Sequence, residues 1–181
     1  MIIVYFLGLL ESVNLIAEQV IDSLGDDPYV LVAVGSIESG DQSRMSVDTA
    51  VRIIDINFRN LIALISPIAE ALKQKREGCL IIISSVAGDR GRQSNYIYGS
   101  AKAGISTYAE GLRNRLFPFG VHVLTVKPGY VDTPMLRKSV GERYGQIPGI
   151  IIGNPEKVGR SIYSAAVKRK NVIYVPIIWR A

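Results

Sequence analysis

The chain has 181 residues, of which 48% are hydrophobic and 20% charged, so its composition is that of a folded globular protein rather than a disordered one. This length suffices for one hydrophobic core, and we expect a single domain over residues 1–181. The single cysteine, Cys79, rules out an internal disulfide and fits a reducing, cytoplasmic compartment. The net charge of +5 is scattered without the dense basic stripe of a nucleic-acid-binding face, so we expect no nucleic-acid partner.

The longest apolar run lies at the start of the sequence. Met1–Leu10 is about half as long as a membrane-spanning helix, and it lacks the cationic flank of a signal peptide. We therefore predict a buried strand here and no transmembrane segment.

Apolar runs of strand length alternate with longer segments of helical periodicity, which predicts an α/β fold with a largely parallel, buried sheet. The predicted strands are Ile2–Leu7, Tyr29–Val34, Leu80–Ser84, Val121–Lys127 and Val172–Val175. The predicted helices are Ser12–Ser23, Val47–Lys75, Asn95–Phe117 and Pro155–Lys168. The predicted loops are Gly25–Pro28, Gly35–Arg44, Val86–Ser94 and Pro128–Gly153, and the length of the last one predicts a lid.

Tyr98 and Lys102 lie one turn apart on the predicted helix Asn95–Phe117 and therefore share a face. A neighbouring ammonium group favours a phenolate, so we expect Lys102 to lower the pKa of Tyr98 and make it an acid–base group. By itself this pair is weak evidence for an active site, because a core tyrosine beside a solvated lysine has the same spacing.

Three interior glycines on the same helix strengthen the functional interpretation. Gly99, Gly104 and Gly111 each cost the helix about 1 kcal/mol relative to alanine. We therefore expect close neighbours on this helix, with a flat cofactor on one side and a partner helix on the other.

The spacing of four polar residues resembles that of the short-chain dehydrogenase/reductase family. Asn57, Ser85, Tyr98 and Lys102 look like its catalytic asparagine, serine, tyrosine and lysine. The resemblance implies that Tyr98 donates a proton to a carbonyl, Ser85 donates a hydrogen bond to the same oxygen, Lys102 binds ribose hydroxyls and Asn57 extends a water-linked proton relay. Structural alternatives remain open: a strand-end cap for Ser85, a buried amide kinking its helix for Asn57, and a helix N-cap for Thr133.

Two further segments resemble the family's cofactor-binding elements. Lys127–Met135 is similar to its proline-glycine segment, which holds the nicotinamide end of the cofactor, and Ala33-Val34-Gly35 stands where the family usually has Asn-Ala-Gly. The implied cofactor is NAD or NADP, with NADP slightly favoured. The implied cofactor-binding residues are Ala33, Gly35, Asn57, Tyr98, Lys102, Pro128, Gly129, Val131 and Thr133. We expect no metal, since His122 has no second ligand in view and fits a satisfied core or edge residue.

Two stretches, Ser84–Tyr96 and Val172–Arg180, are similar to a bacterial subgroup that includes the decaprenyl-phosphoryl-2-keto-pentose reductase. There the substrate is a keto sugar on a polyprenyl phosphate. Arg90 and Arg92 are candidates to face a phosphate, and solvated loop charges are the alternative.

The resemblance implies a Rossmann-like, doubly wound parallel sheet, but the sequence has no Thr-Gly-x-x-x-Gly-x-Gly turn and reads Phe6-Leu7-Gly8-Leu9 where the family has an aspartate. We therefore expect a partial domain without the first two strand–helix units. In that case Ile2–Leu7 would take the vacant sheet position beside Tyr29–Val34 through a right-handed crossover.

Two functions remain open at this stage. One is an NAD(P)-dependent oxidoreductase acting on a small-molecule carbonyl or alcohol, and the other is a remnant or fragment that keeps the fold without competent cofactor binding. Relatives pair the helices at 47–75 and 95–117 across a dimer axis, so we expect a homodimer or homotetramer.

Overall fold

Parallel strands form the centre of the fold. The computed structural model describes residues 2–4, 11–37 and 46–180 of the chain. Five strands in these ranges form one sheet, namely β1 (Ile2–Val4), β2 (Tyr29–Val32), β3 (Cys79–Ile83), β4 (His122–Pro128) and β7 (Val172–Val175). Their order in the sheet is β1-β2-β3-β4-β7, and every pair in it is parallel. A separate pair joins β5 (Tyr130–Val131) to β6 (Ile152–Gly153), also in parallel.

Helices connect the strands of the main sheet. They are α1 (Glu11–Asp22), α2 (Val47–Ile54), α3 (Asn60–Lys75), α4 (Tyr96–Leu116), α5 (Pro134–Val140) and α6 (Pro155–Val167). Short 3-10 turns lie at Val86–Gly88, Phe117–Phe119, Gly141–Gln146, Gly149–Ile151 and Ile177–Arg180. Throughout the described ranges, each helix is too short or too polar to cross a membrane.

Both faces of the sheet are covered, because successive residues of a strand point to opposite sides. Val32, Ile82 and Val123 lie in a buried cluster with α1, α3 and α4. Ile81 and Leu124 belong to a second buried cluster, which includes residues of α6. The predicted Rossmann-like, doubly wound architecture is therefore confirmed, and ligands of such sheets bind beyond the carboxyl ends of the strands.

The first strand lies beside the second, as predicted. Ile2 is opposite Val30 and Val4 is opposite Val32 in a parallel register. This pairing gives the otherwise open edge of β2 a partner. Residues 5–7 of the predicted strand, the segment at 6–9 and residues 38–44 of the predicted loop lie outside the described residues.

Two predictions of secondary structure were wrong. The helix predicted over Val47–Lys75 is interrupted by a π-helical turn at Asp55–Arg59, between α2 and α3. The loop predicted over Pro128–Gly153 contains β5, α5, two 3-10 turns and β6. Each of these elements is too short for hydrophobic periodicity to reveal it.

The glycines of α4 differ in what lies next to them. A Cβ atom on Gly99 would meet the Ala87 carbonyl oxygen at 2.7 Å, and one on Gly104 would meet the Phe58 ring at 2.9 Å. Nothing within this chain lies within 4 Å of the corresponding position on Gly111. The expected close neighbour therefore exists for two of the three glycines, and in both cases it belongs to the same chain.

This difference predicts opposite effects of the same substitution on one helix. We expect Gly99→Ala to lower the free energy of unfolding by about 1–3 kcal/mol, because its methyl group collides with backbone that cannot easily move. In the monomeric chain, Gly111→Ala should instead raise it by about 1 kcal/mol through helix propensity, because nothing in the same chain lies within 4 Å of the added methyl group. Urea denaturation followed by circular dichroism measures both, and equal effects of the two variants would contradict the packing described here.

Candidate active site

One cavity lies at the carboxyl ends of the strands. It has a volume of about 500 Å³ and is formed by the segments that follow β2, β3 and β4, together with α4, the 129–147 region and α6. Its lining includes the following predicted site residues: Ala33, Gly35, Ser85, Tyr98, Lys102, Pro128, Gly129, Val131 and Thr133. Asn57 does not line it and is fully buried.

The 3-10 turn Val86–Gly88 holds the first side chain of the site. Ser85 caps this turn by accepting a hydrogen bond from the Ala87 amide at 3.1 Å. Its hydroxyl oxygen also lies 3.4 Å from the carbonyl oxygen of Pro128, a distance that allows a weak hydrogen bond. The predicted strand-end cap is thus present, and the single hydroxyl proton can point either to Pro128 or into the cavity.

Tyr98 and Lys102 project from the first turns of α4 toward Ser85. Both are buried, with exposed fractions of 8% and 2%. Lys102 Nζ lies 5.6 Å from the centroid of the Tyr98 ring. Ser85 and Tyr98 lie close enough for their hydroxyl groups to interact, since Ser85 lowers the pKa of the phenol through a side-chain hydrogen bond. The structure therefore brings these three side chains together in one cavity.

The predicted direction of the Tyr98 pKa shift was wrong. Burial raises the pKa of Tyr98 to about 12, and the hydrogen bond from Ser85 only partly opposes this. Burial also lowers the pKa of Lys102 to about 8. Sequence spacing shows that an ammonium group is near the phenol, but it does not show that both groups leave water, which disfavours the charged form of each.

Main-chain carbonyls and a glycine surround the Lys102 ammonium group. Nζ lies 3.3 Å from the Ile83 oxygen and 3.5 Å from the Val34 oxygen, where it can donate long hydrogen bonds. A Cβ on Gly35 would approach Lys102 Nζ at 3.2 Å and Asn57 Oδ1 at 3.0 Å. Any residue larger than glycine at position 35 would crowd these two side chains.

Asn57 lies behind Gly35, within the π-helical turn. Its amide group donates to the Ile53 oxygen at 2.9 Å and to the Ser36 oxygen at 2.7 Å. Its Oδ1 accepts from the Ser36 amide at 3.2 Å. The alternative of a buried amide in an irregular helix is therefore present in the structure, and π-helical turns of this kind are frequent at functional sites.

The proline-glycine segment that follows β4 forms another wall of the cavity. The Trp179 indole lies directly against the Cα of Gly129, since a Cβ on Gly129 would meet the indole at 2.3 Å. Thr133 is the N-cap of α5 and accepts from the Leu136 amide at 3.3 Å. The helix N-cap considered for Thr133 is thus also present.

Sequence reasoning missed several residues of this cavity. Trp179, Arg143 and Ile147 line it together with residues of α6. The only available signal was that Trp179 is the sole tryptophan of the chain. Arg92 lines the cavity, whereas Arg90 does not.

The charged side chains of the lining are all cationic. Arg92, Lys102 and Arg143 contribute positive charge, and the described lining includes no aspartate or glutamate. Much of the remaining lining is apolar, including Ile37, Met135 and other aliphatic side chains. The cavity therefore suits a ligand with both anionic and apolar parts.

His122 lies at the other end of β4 and contributes nothing to this cavity. It is 9% exposed, and its Nε2 lies 2.9 Å from the Lys170 carbonyl oxygen. The interpretation as a satisfied residue is confirmed. Over the ranges that the structure describes, no three His, Cys, Asp or Glu side chains come together as a metal site would require.

Known proteins share this arrangement of sequence and fold. The family profile described as short chain dehydrogenase matches residues 8–143, a range that contains every predicted site residue. The chain belongs to the short-chain dehydrogenase family. An uncharacterized oxidoreductase of Mycobacterium tuberculosis is 36% identical over 139 residues, which are 76% of this chain and 53% of that protein. An acetoacetyl-CoA reductase of Synechocystis is 26% identical over 157 residues, covering 84% of this chain and 65% of that protein.

Solved structures of short-chain dehydrogenases have the same fold. A short chain dehydrogenase/reductase family protein superposes with a TM-score of 0.79 at 22% identity, over 92% of this chain and 71% of the other. A short-chain dehydrogenase from Sphingobium yanoikuyae in complex with NADPH also gives 0.79, at 21% identity, over 93% of this chain and 63% of the other. The chain spans about half the length of the first curated relatives that it matches.

The lowered pKa of Lys102 predicts a pH-dependent stability. Since the pKa falls from 10.5 to about 8 on folding, the unfolded chain binds more protons between these values, and the free energy of unfolding should rise with pH through this window. We expect Lys102→Met to be more stable than the wild type at about pH 7, with a difference that shrinks by about pH 9. Urea denaturation of both proteins at several pH values measures this, and a pH-independent difference would contradict a buried, titrating lysine.

Proposed function

We propose that the chain forms the catalytic part of an NAD(P)-dependent oxidoreductase that reduces a carbonyl group to an alcohol. The observation that carries the proposal is the convergence of Ser85, Tyr98 and Lys102 in one cavity at the carboxyl ends of a parallel sheet. A hydroxyl, a phenol and an ammonium group together supply what carbonyl reduction requires of a protein, namely hydrogen bonds to the oxygen and a proton.

Burial keeps Tyr98 in the protonated form that a proton donor requires, while the raised pKa makes the phenol a weaker acid than an exposed tyrosine. With a pKa of about 12 the phenol carries its proton at neutral pH, so it can transfer that proton to the carbonyl oxygen as negative charge develops there. Ser85 donates a hydrogen bond to the same oxygen by turning its hydroxyl away from Pro128. Lys102 stabilises the tyrosinate that remains, since its Nζ lies 5.6 Å from the centroid of the Tyr98 ring.

The cavity residues also fit the nicotinamide end of a cofactor. Gly35 and Gly129 both line the cavity. Lys102 retains a third N–H donor for a ribose hydroxyl beyond its two carbonyl acceptors. When bound, NAD(P)H supplies the hydride. We favour NADP, since the similar structure from Sphingobium yanoikuyae was determined with NADPH.

A keto sugar attached to a polyprenyl phosphate is our proposal for the substrate. The stretches Ser84–Tyr96 and Val172–Arg180 resemble the decaprenyl-phosphoryl-2-keto-pentose reductase subgroup. Two arginines, Arg92 and Arg143, and many apolar side chains line the same cavity, which supports this choice because a polyprenyl phosphate combines an anion with an aliphatic chain.

Assembly into a homodimer or homotetramer through the helices at 47–75 and 95–117 also remains our proposal. Val47 and Val51 on α2 are 77% and 52% exposed, as expected of an apolar surface that a second copy covers.

Removal of one hydroxyl group tests the proposed reaction. We expect Tyr98→Phe to lower kcat about 10²–10⁴-fold with little change in NADPH affinity, because only proton transfer is lost. Tyr108→Phe is the matched control, since its hydroxyl lies on the same helix but contacts Ser66 instead. Calorimetry with NADPH and NADH measures binding, and a wild-type chain that binds neither at millimolar concentration would refute the proposal.

The substrate proposal predicts different effects for neighbouring arginines. We expect Arg92→Gln and Arg143→Gln each to weaken binding of geranyl phosphate by about tenfold to a hundredfold, because a charge-assisted hydrogen bond contributes about 1.5–3 kcal/mol. Arg90→Gln, which removes an exposed arginine outside the cavity lining, should leave binding unchanged. Equal losses in all three variants would point to general attraction by positive charge and count against a specific phosphate site.

A further inference from the structure

Trp179 joins chain segments that are far apart in the sequence. It lies in the 3-10 turn Ile177–Arg180, directly after β7. Its indole N–H donates to the Ile151 carbonyl oxygen at 3.0 Å, and its ring meets the Tyr130 ring edge-on with centroids 4.9 Å apart. One face of the ring lies against Gly129.

These contacts connect the two ends of the segment that forms the cavity wall. Gly129 and Tyr130 begin this segment, and Ile151 lies where it returns to the sheet. The two ends are otherwise joined by the short β5–β6 pairing and by the Asp132 amide, which donates to the Gly153 oxygen at 3.0 Å. A strand pairing of only two residues holds the two ends of the segment weakly. The contact between the Trp179 and Tyr130 rings therefore contributes substantially to the relative position of these ends.

The same contacts lead to the reacting groups. Two contacts fix the position of Gly129. The Trp179 indole lies against its Cα, and its amide donates a hydrogen bond to the Val175 carbonyl oxygen at 3.0 Å. The carbonyl oxygen of the preceding residue, Pro128, lies 3.4 Å from the Ser85 hydroxyl. A displacement of Gly129 would therefore alter both the cavity wall and the hydrogen-bond environment of Ser85.

We propose that Trp179 is a positioning residue that fixes the Pro128–Val131 wall against the returning segment at 149–153, and through Pro128 sets the direction of the Ser85 hydroxyl. The catalytic consequence rests on the proposed function, whereas the mechanical one does not. Trp179 also lines the cavity, but it has no group that transfers a proton, and the role proposed for it is exerted through the backbone that it holds.

Amide hydrogen exchange tests the mechanical part without any ligand. Trp179→Ala should accelerate exchange at the amides of Gly129 and Asp132 about tenfold or more, because local opening of this wall becomes easier. Trp179→Phe keeps a ring against Gly129 and should change the Gly129 amide by less than about threefold. Phe117→Ala truncates an aromatic residue that is 80% exposed beyond the other end of the sheet, and it should affect neither amide.

Steady-state kinetics test the catalytic part. With NADPH and ethyl acetoacetate as the probe carbonyl, Trp179→Ala should raise the KM for NADPH about tenfold and lower kcat as well, and Trp179→Phe should restore the KM. A purely structural loss would reduce only the active fraction, and therefore kcat, with an unchanged KM.

The outcomes separate the two proposals. Unchanged exchange at Gly129 and Asp132 in Trp179→Ala overturns the role of Trp179, whatever the activity of the wild type. An alanine variant with accelerated exchange but a wild-type KM overturns the positioning role in catalysis. A wild-type chain that neither binds NADPH nor reduces the probe overturns the proposed function, and the exchange measurement then still decides whether Trp179 holds the wall.

Discussion

The site depends on the close contact between the 3-10 turn Val86–Gly88 and the first turns of α4. A Cβ on Gly88 would meet the Lys102 carbonyl carbon at 2.6 Å, and a Cβ on Gly99 would meet the Ala87 oxygen at 2.7 Å. Glycine on both sides lets two backbones touch, so Ser85 at the start of the turn faces Tyr98 on the helix. The site is therefore assembled by close contact of main chains, and its side chains take their positions from that contact.

The same close packing determines the electrostatics. Because the turn covers the helix, Tyr98 and Lys102 lose most of their contact with water, and for each the loss of hydration is the largest influence on its pKa. A cation 5.6 Å from the ring centroid does not outweigh this loss. The result is a protonated phenol beside an ammonium group whose pKa is lowered to about 8, and a bound anionic ligand would favour the charged form of that ammonium.

The sequence predicted what local patterns encode and missed what depends on distant contacts. The strand at Val172–Val175 was predicted with its observed bounds, and the spacing of Tyr98 and Lys102 was sufficient to place them together. A kinked helix was only one alternative for Asn57, and the π-helical form of that irregularity was not predicted. The contact of Trp179 with Gly129 joins residues fifty positions apart in the sequence, which no local pattern encodes. The direction of the Tyr98 pKa shift was missed for the same reason, since burial arises only from the complete fold.

The burial of the Lys102 ammonium group without a carboxylate partner argues against the alternative that the described part of the chain keeps the fold without a functional site. Among the residues that the structure describes, no carboxylate pairs with its ammonium group, which has only long contacts to two carbonyl oxygens. A buried cation without an anionic partner destabilises a protein, and an apolar residue of similar volume would be the more stable choice in a purely structural role. Lys102 also lines the cavity, so a ligand can reach the nitrogen that the fold leaves incompletely satisfied. Since strongly shifted groups in clefts are typical of binding and catalytic sites, the structural cost of this lysine favours a functional cavity over an inherited scaffold.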